Sequence, residues 1–331
     1  MAKFLLVGDV HATPDEIEDC EALVKLIENE ALMGKLGGYD YLVFLGDQAH
    51  NHAILNVHVL DFWKRTFLRL RPHFKQIICL VGNHDLPGNT GDTTINSMST
   101  LDNLCLVVNE SLLIEDVLFV GFQHDDDKFI KICNDNQDVQ YVFCHQTFNG
   151  AKYENGYPAL DGIDLDLLPP KQGYISGHIH TPQSFDRVRY VGAPRWRTMT
   201  DAKVILRWLY YFKSDIGVLN QSVETGTFCK RKLIFDVTPT STMPAVPEMK
   251  AGDTTYLNYI GPESWLGISR RLTTSNNMII KKFFPTDSRP IQVKESEGID
   301  KALMKYVDSA TTQTPKDVLK KMIEERLWNQ R

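Results

Sequence analysis

The stretch Gln76-Ile77-Ile78-Cys79-Leu80-Val81-Gly82-Asn83-His84-Asp85 is an apolar run that stops on a carboxamide, an imidazole and a carboxylate. A short continuous apolar run rich in β-branched residues reads as a strand buried on both faces, the kind found in parallel sheets. Four other runs end in the same way. Phe4-Leu5-Leu6-Val7 leads to Asp9-Val10-His11, and Tyr41-Leu42-Val43-Phe44-Leu45 leads to Gly46-Asp47. Val139-Gln140-Tyr141-Val142-Phe143 leads to Cys144-His145, and Tyr174-Ile175-Ser176 leads to Gly177-His178-Ile179-His180. Polar ligand-type groups therefore recur at the C-terminal ends of successive predicted strands, where open α/β sheets bind their ligands.

The residue types define the chemistry. Asp9 and His11 flank one residue, so on an extended strand end their side chains face one side. The pair His178 and His180 repeats that spacing, and Gly177 before it allows close backbone approach. Asp47 has two oxygens and can bridge two ions, while Asn83 offers a neutral carbonyl ligand. Taken singly, Asp-x-His is commonly a turn, Gly-Asp a cap, and a lone His145 a satisfied structural histidine. Five coincidences in register point instead to a two-metal hydrolase site. Oxygen and imidazole donors without thiolates suit Mn, Fe, Mg or Zn.

Around these motifs the strand and helix signals alternate as far as about residue 195, which favours a layered α/β core. Thr13-Pro14-Asp15-Glu16 reads as a helix start, followed by Ile17, Cys20, Val24, Ile27 and Ala31 at helical spacing. A second helix is expected from Asn56 to Arg71. Shorter strands are expected at Leu104–Val108, Leu112–Ile114 and Val117–Val120, giving two sheets flanked by helices. Past Pro194, strand pieces are expected at Val204-Ile205-Leu206 and Leu233-Ile234-Phe235. The run Thr238–Pro247 reads as a linker. The expected division is a core over residues 1–240 and a small α/β appendage over 241–331. The appendage would hold strands near Thr255–Ile260 and Met278–Phe284 and a closing helix from Thr314-Pro315, with Val318, Leu319, Met322, Ile323 and Leu327 as its apolar stripe. His124-Asp125-Asp126-Asp127 reads as a solvated loop.

Composition sets the bounds. The chain has 331 residues, 43% hydrophobic and 24% charged, with six cysteines and no Cys-x-x-Cys pair. These values are ordinary for a globular protein, and the cysteines read as buried free thiols of a reducing cytoplasm. No apolar run reaches the ~20 residues that cross a bilayer, so no membrane partner is expected. A net charge of −6 argues against a surface that is basic throughout, though a local basic patch is compatible with it.

Asp9-x-His11, Gly46-Asp47, Gly82-Asn83-His84-Asp85, His145 and Gly177-His178-x-His180 resemble the motif set of the calcineurin-like metallophosphoesterases over about residues 1–200. The resemblance implies a four-layer β-sandwich flanked by helices, with a dinuclear centre at the strand ends. It implies that Asp9, His11 and His180 bind one ion, that Asn83, His145 and His178 bind the other, and that Asp47 bridges them. His84 would contact the phosphate and protonate the leaving oxygen. Two further stretches, Gly46-Asp47-Gln48-Ala49-His50 and Gly177–Pro194, are similar to the SbcD-like nuclease branch, which includes viral recombination nuclease subunits. There His50 would help position the phosphate and His84.

The expected function is a phosphodiester hydrolase with two divalent ions, Mn first among them, acting as a DNA exo- or endonuclease. Arg195, Trp196 and Arg197 are the expected substrate contacts, arginines for phosphates and tryptophan for a base. Two other readings compete: a phosphatase or phosphodiesterase for a small molecule, nucleotide or phosphoprotein, and a scaffold subunit of a repair or replication complex. The nuclease resemblance implies DNA, an SbcC-like coiled-coil ATPase and a second copy of the chain as partners. It also implies a cytoplasmic location, in the host cell if the chain is viral.

Overall fold

The computed structural model describes residues 2–33, 38–52, 54–88, 95–154, 156–204, 206–237, 251–260 and 278–283, together with residues 307, 316, 317 and 320. In chain order the elements are β1 (Lys3–Val7), α1 (Ile17–Met33), β2 (Tyr41–Phe44), α2 (Val57–Leu70), β3 (Gln76–Leu80), β4 (Leu106–Val108), β5 (Ser111–Ile114) and β6 (Val117–Val120). There follow α3 (Asp126–Asp135), β7 (Tyr141–Cys144), β8 (Gly173–Ser176), β9 (Gln183–Phe185), β10 (Val188–Tyr190), β11 (Trp208–Lys213), β12 (Val218–Glu224), β13 (Lys232–Val237), β14 (Thr254–Ile260) and β15 (Met278–Phe283).

Two six-stranded sheets make the body, in the orders β12-β11-β1-β2-β3-β4 and β5-β6-β7-β8-β10-β9. Alternation along β1 shows how they are layered. Phe4 and Leu6 enter an apolar core that also holds Val43, Ile78, Phe119, Phe143 and Ile175, from both sheets. Leu5 and Val7 face the other way, toward a core built with Cys20, Leu23, Val24 and Ile27 of α1 and Phe62, Trp63 and Phe67 of α2. A third core, with Phe129 and Cys133 of α3, lies behind Val142, Tyr174 and Val188. The fold is a helix-flanked β-sandwich, as expected. Burial on both faces explains why β1 to β3 are apolar after their first residue instead of alternating.

Register places the motif ends together. Strands β1, β2 and β3 run parallel with Val7 opposite Phe44 and Phe44 opposite Cys79. Likewise β7 and β8 run parallel with Cys144 opposite Ser176. All five polar motifs therefore leave the C-terminal ends of parallel strands.

Several details depart from expectation. Thr13 makes no side-chain cap bond; a one-turn helix at Pro14–Glu16 precedes α1. The expected strand at Val204–Leu206 lies instead at Trp208–Lys213, because Thr200–Lys203 turns as a short helix and the carbonyl of Val204 accepts from Trp196 Nε1. Asp125 is the N-cap of α3, accepting from the Asp127 amide at 3.0 Å, so the acidic run begins a helix and is not merely a loop. The expected helix over 56–71 is α2 with Asn56 as its cap. All six cysteines are free and buried.

Strands β13, β14 and β15 form a separate three-stranded sheet. The chain divides into two compact units. One comprises Met1–Phe235, Ala245–Tyr256 and Asn277–Ile279, and the other Asp236–Pro244, Leu257–Asn276 and Ile280–Arg331. The linker expected at Thr238–Pro247 lies outside the described residues, as do the five stripe residues of the closing helix; Lys316, Asp317 and Lys320 are helical. Among the described residues no helix is long and apolar enough to cross a membrane.

Candidate metal centre

Three residues of the strand-end motifs occupy the left-handed backbone region: His11 (φ 48°), Asp47 (φ 54°) and His178 (φ 78°). Such strain in non-glycine residues persists only where the surroundings impose it, and it concentrates at functional sites. Gly46 and Gly177 are part of that constraint. A Cβ on Gly46 would stand 2.1 Å from Nδ1 of His145, and one on Gly177 would stand 2.9 Å from the same atom. His145 is thus wedged between two backbones that only glycine lets approach.

The expected ligands converge as two clusters, beside a third formed by His11, His50 and His84. Asp9, His11 and His180 form one, and Asp47, His145 and His178 form the other, each with its donor atoms within 4.8 Å of one another. In the first, Nε2 of His11 lies 2.9 Å from Nε2 of His180. In the second, Oδ1 of Asn83 lies 3.1 Å from Nε2 of His145 and 2.9 Å from Nδ1 of His178. Asp47 joins them: its Oδ2 is 3.5 Å from Nε2 of His11 and 3.4 Å from Nε2 of His145. The structure therefore gathers all seven expected ligand residues at one place.

Hydrogen bonds fix which ring nitrogens face inward. His145 donates from Nδ1 to the carbonyl of Leu45 at 2.7 Å, so Nε2 is the nitrogen it turns toward Asp47 and Asn83. His84 donates from Nδ1 to the carbonyl of His50 at 2.7 Å, leaving its Nε2 to exchange a proton. The His84 amide donates to Oδ1 of Asp47 at 2.8 Å, and the His178 amide to Oδ1 of Asp9 at 2.8 Å. The other oxygen of Asp9 and Nδ1 of His11 are buried with no protein partner. An orphaned carboxylate oxygen in one cluster with two imidazole nitrogens that face each other is a donor set that fits divalent metals.

Burial competes in the site with the mutual attraction of carboxylates and imidazoles. Burial raises the Asp9 carboxyl above the usual range despite His145 and His180. Burial also opposes ionisation of Asp47, but the His145 and His11 imidazoles hold it well below that range. Burial, then the neighbouring His145, lowers His178 to about 3. Burial likewise opposes protonation of His145, yet Asp47 and then Asp9 push it up to about 9.

His50 stands beside the centre. Arg197 donates to its Nδ1 at 3.2 Å, so the hydrogen of the neutral ring sits on Nε2. Burial, then Arg197 and His84, lowers His50 to about 4. Its ring stacks on His84 with centroids 5.2 Å apart.

Two expected substrate contacts lie elsewhere. Arg195 is 0% exposed and Trp196 1%. Arg195 donates to the carbonyls of Val10 and His11, each at 2.9 Å, and pairs with Glu16 at 3.1 Å. Trp196 packs under the Arg207 guanidinium, 5.5 Å from its centroid. Arg195 supports the Asp9–His11 turn, and Trp196 is committed to Val204 and Arg207. Arg197 alone of the three, partly exposed, reaches the site through His50.

Sequence reasoning missed two supports of the site, Asp201 and Glu154, while Asp85 orients a helix start as expected. Asp201 places Oδ1 3.7 Å from Nδ1 of His180 and 2.9 Å from Arg207. Glu154 accepts from the His180 amide at 2.7 Å. Asp85 accepts from the amides of Gly82 at 3.0 Å and Ala49 at 3.1 Å, tying the Asp47 and Asn83 turns together. Of these only Asp85, inside a motif, carries a local signal.

No curated protein matches the chain significantly. A family model, described as calcineurin-like phosphoesterase, matches residues 2–182, more than half of the length. On that match, and on the sandwich that carries the site, the chain belongs to the calcineurin-like phosphoesterases and is a metal-dependent phosphoester hydrolase.

Proposed function

We propose that the chain is a phosphodiesterase with two divalent ions, manganese first among the candidates, and that its substrate is DNA. The observation that carries the two-ion reading is the position of Asp47 Oδ2 between Nε2 of His11 and Nε2 of His145. Asp9, His11 and His180 would hold one ion and Asn83, His145 and His178 the other, with Asp47 within reach of both. When bound, the ions supply Lewis-acid activation of water and neutralise charge on the phosphate oxygens.

The chain's own residues do the rest. His84, oriented by the His50 carbonyl, presents Nε2 to the leaving oxygen and delivers its proton. His50, with Nδ1 occupied by Arg197, offers Nε2–H to a phosphate oxygen. Arg197 adds a positive charge behind that donor. Support for a nuclease comes from His50, three residues after Asp47, and from the Gly177–Pro194 stretch. An SbcC-like ATPase, a second copy of the chain and a cytoplasmic location belong to the same proposal, with residues 241–331 as a capping or partner-binding region.

The inward burial of Arg195 and Trp196 favours one competitor, a phosphodiesterase for a nucleotide or other small ester, because it leaves less basic surface beside the site. Purified protein with Mn on labelled single- and double-stranded DNA, with His84→Ala as control, separates the two. DNA degradation lost in the variant supports the nuclease. Intact DNA beside cleavage of a small phosphodiester supports the competitor.

A further inference from the structure

His84 is stacked on two imidazoles, not one. His50 stacks with it at 5.2 Å and an interplanar angle of 15°, and His52 at 4.2 Å and 28°. His50 is tied to Arg197 and so belongs to the phosphate side of the site. His52 is exposed, and it lines a cleft of about 160 Å³ with Leu55, Pro87, Ile95 and Ser97. Asp85, the neighbour of His84, reaches the same cleft. Ile95 is 65% exposed there, an apolar side chain left in water.

We infer that this cleft is the subsite for the organic part of the departing alcohol, and that it selects a leaving group carrying one flat ring system, such as a nucleoside's base. The inference rests on the reading of His84 as the proton donor to the leaving oxygen. A group bonded to that oxygen must lie beside His84, and the cleft is lined by His52, which stacks on that ring, and by the next residue, Asp85. Pockets that enclose whole small molecules run roughly 300–1,000 Å³, so 160 Å³ has room for a ring and not for a whole nucleotide. The walls suit that ring. His52 offers an imidazole face for stacking, and Leu55, Pro87 and Ile95 offer apolar contact. Ser97 donates its hydroxyl hydrogen to Asp85 Oδ1 at 3.1 Å, so it can only accept from the ring and sets a weak hydrogen-bond demand. Selection then favours planarity over base identity.

The test compares two esters of one mononucleotide, a dinucleoside monophosphate that releases a nucleoside and the methyl ester that releases methanol. With Mn, the wild-type kcat/KM is expected to favour nucleoside release by about ten-fold, the range of one base stack. His52→Ala and Ile95→Glu should each bring that ratio close to one. A purely structural loss would lower both rates alike and keep the ratio, which overturns the inference. A wild-type ratio near one overturns it as well. Hydrolysis of neither ester overturns the phosphodiesterase reading and this inference with it. A readout without metal or turnover is carbethoxylation by diethyl pyrocarbonate, followed by mass spectrometry. Adenosine should protect His52 and leave the exposed His58 unprotected, and equal labelling of His52 with and without adenosine counts against the subsite.

Discussion

Arg197 donates to Nδ1 of His50 across 3.2 Å, although 147 residues separate them in the chain. The bond decides which nitrogen of His50 faces the site, because an accepting Nδ1 leaves the hydrogen on Nε2. Removing it frees the ring to take the other tautomer. Hydrogen bonds from a charged donor contribute about 1.5–3 kcal/mol, so Arg197→Ala should lower kcat/KM on a phosphodiester by roughly ten- to a hundred-fold. Steady-state kinetics with saturating Mn check this, and an unchanged kcat/KM would detach Arg197 from the chemistry.

His84 should behave differently from the ligand residues. Its Nδ1 is spent on the His50 carbonyl and its amide on Asp47. The side chain is therefore free of the two donor sets that hold Asp9, His11, Asn83, His145, His178 and His180. His84→Ala should cost about 10²–10⁴ in kcat, as expected for loss of a general acid. Metal content by elemental analysis should stay as in the wild type. A variant that loses metal along with activity would place His84 among the ligands.

Both residues illustrate what was legible beforehand. Strands β1, β2, β3, β7 and β8 are short apolar runs, and each ends on its own polar motif, so fold and ligand set are readable from local pattern. Asp9-x-His11, Gly46-Asp47 and His145 are each ambiguous as local signals, and they become meaningful only in company with the other motifs. The supports were not legible because their partners are distant. Arg195 meets Val10 and His11 across separations of 185 and 184 residues. Nothing in Arg195-Trp196-Arg197 distinguishes an arginine that caps buried carbonyls from one that faces a phosphate. The misplaced strand at Val204–Leu206 has the same cause: three apolar residues look like a strand until Trp196 claims the Val204 carbonyl.

Asp201 makes a prediction about metal affinity. Its Oδ1 is 3.7 Å from His180 Nδ1 and 2.9 Å from Arg207, while Oδ2 accepts from the Thr198 amide at 2.7 Å. Although burial works against ionisation, His180 and Arg207 hold its carboxyl far below the usual range. A carboxylate behind a ligating imidazole orients the ring and raises its basicity, and losing such partners costs about 10–100-fold in affinity. Asp201→Asn should weaken Mn binding by that factor when followed by calorimetric titration. Equal affinity in the two proteins would show that His180 needs no such support.

Glu16 ties the Arg195 support to the Arg197 contact, and this gives stability a pH dependence. Its carboxylate pairs with Arg195 at 3.1 Å and with Arg197 at 3.2 Å. Burial raises the Glu16 carboxyl, but Arg195 and then Arg197 outweigh it, so the folded value lies below the ordinary 4.5. A carboxyl lowered on folding stabilises the native state above its unfolded value. That contribution is lost as pH falls through the folded value. The wild type should therefore exceed Glu16→Gln in Tm at pH 7, and the gap should narrow progressively below pH 4.5. The native state of wild type takes up a proton over that range, and the glutamine variant does not. Thermal melts of both proteins between pH 7 and pH 3 measure the gap directly, and a gap constant across that range would rule out the ion pairs as its source.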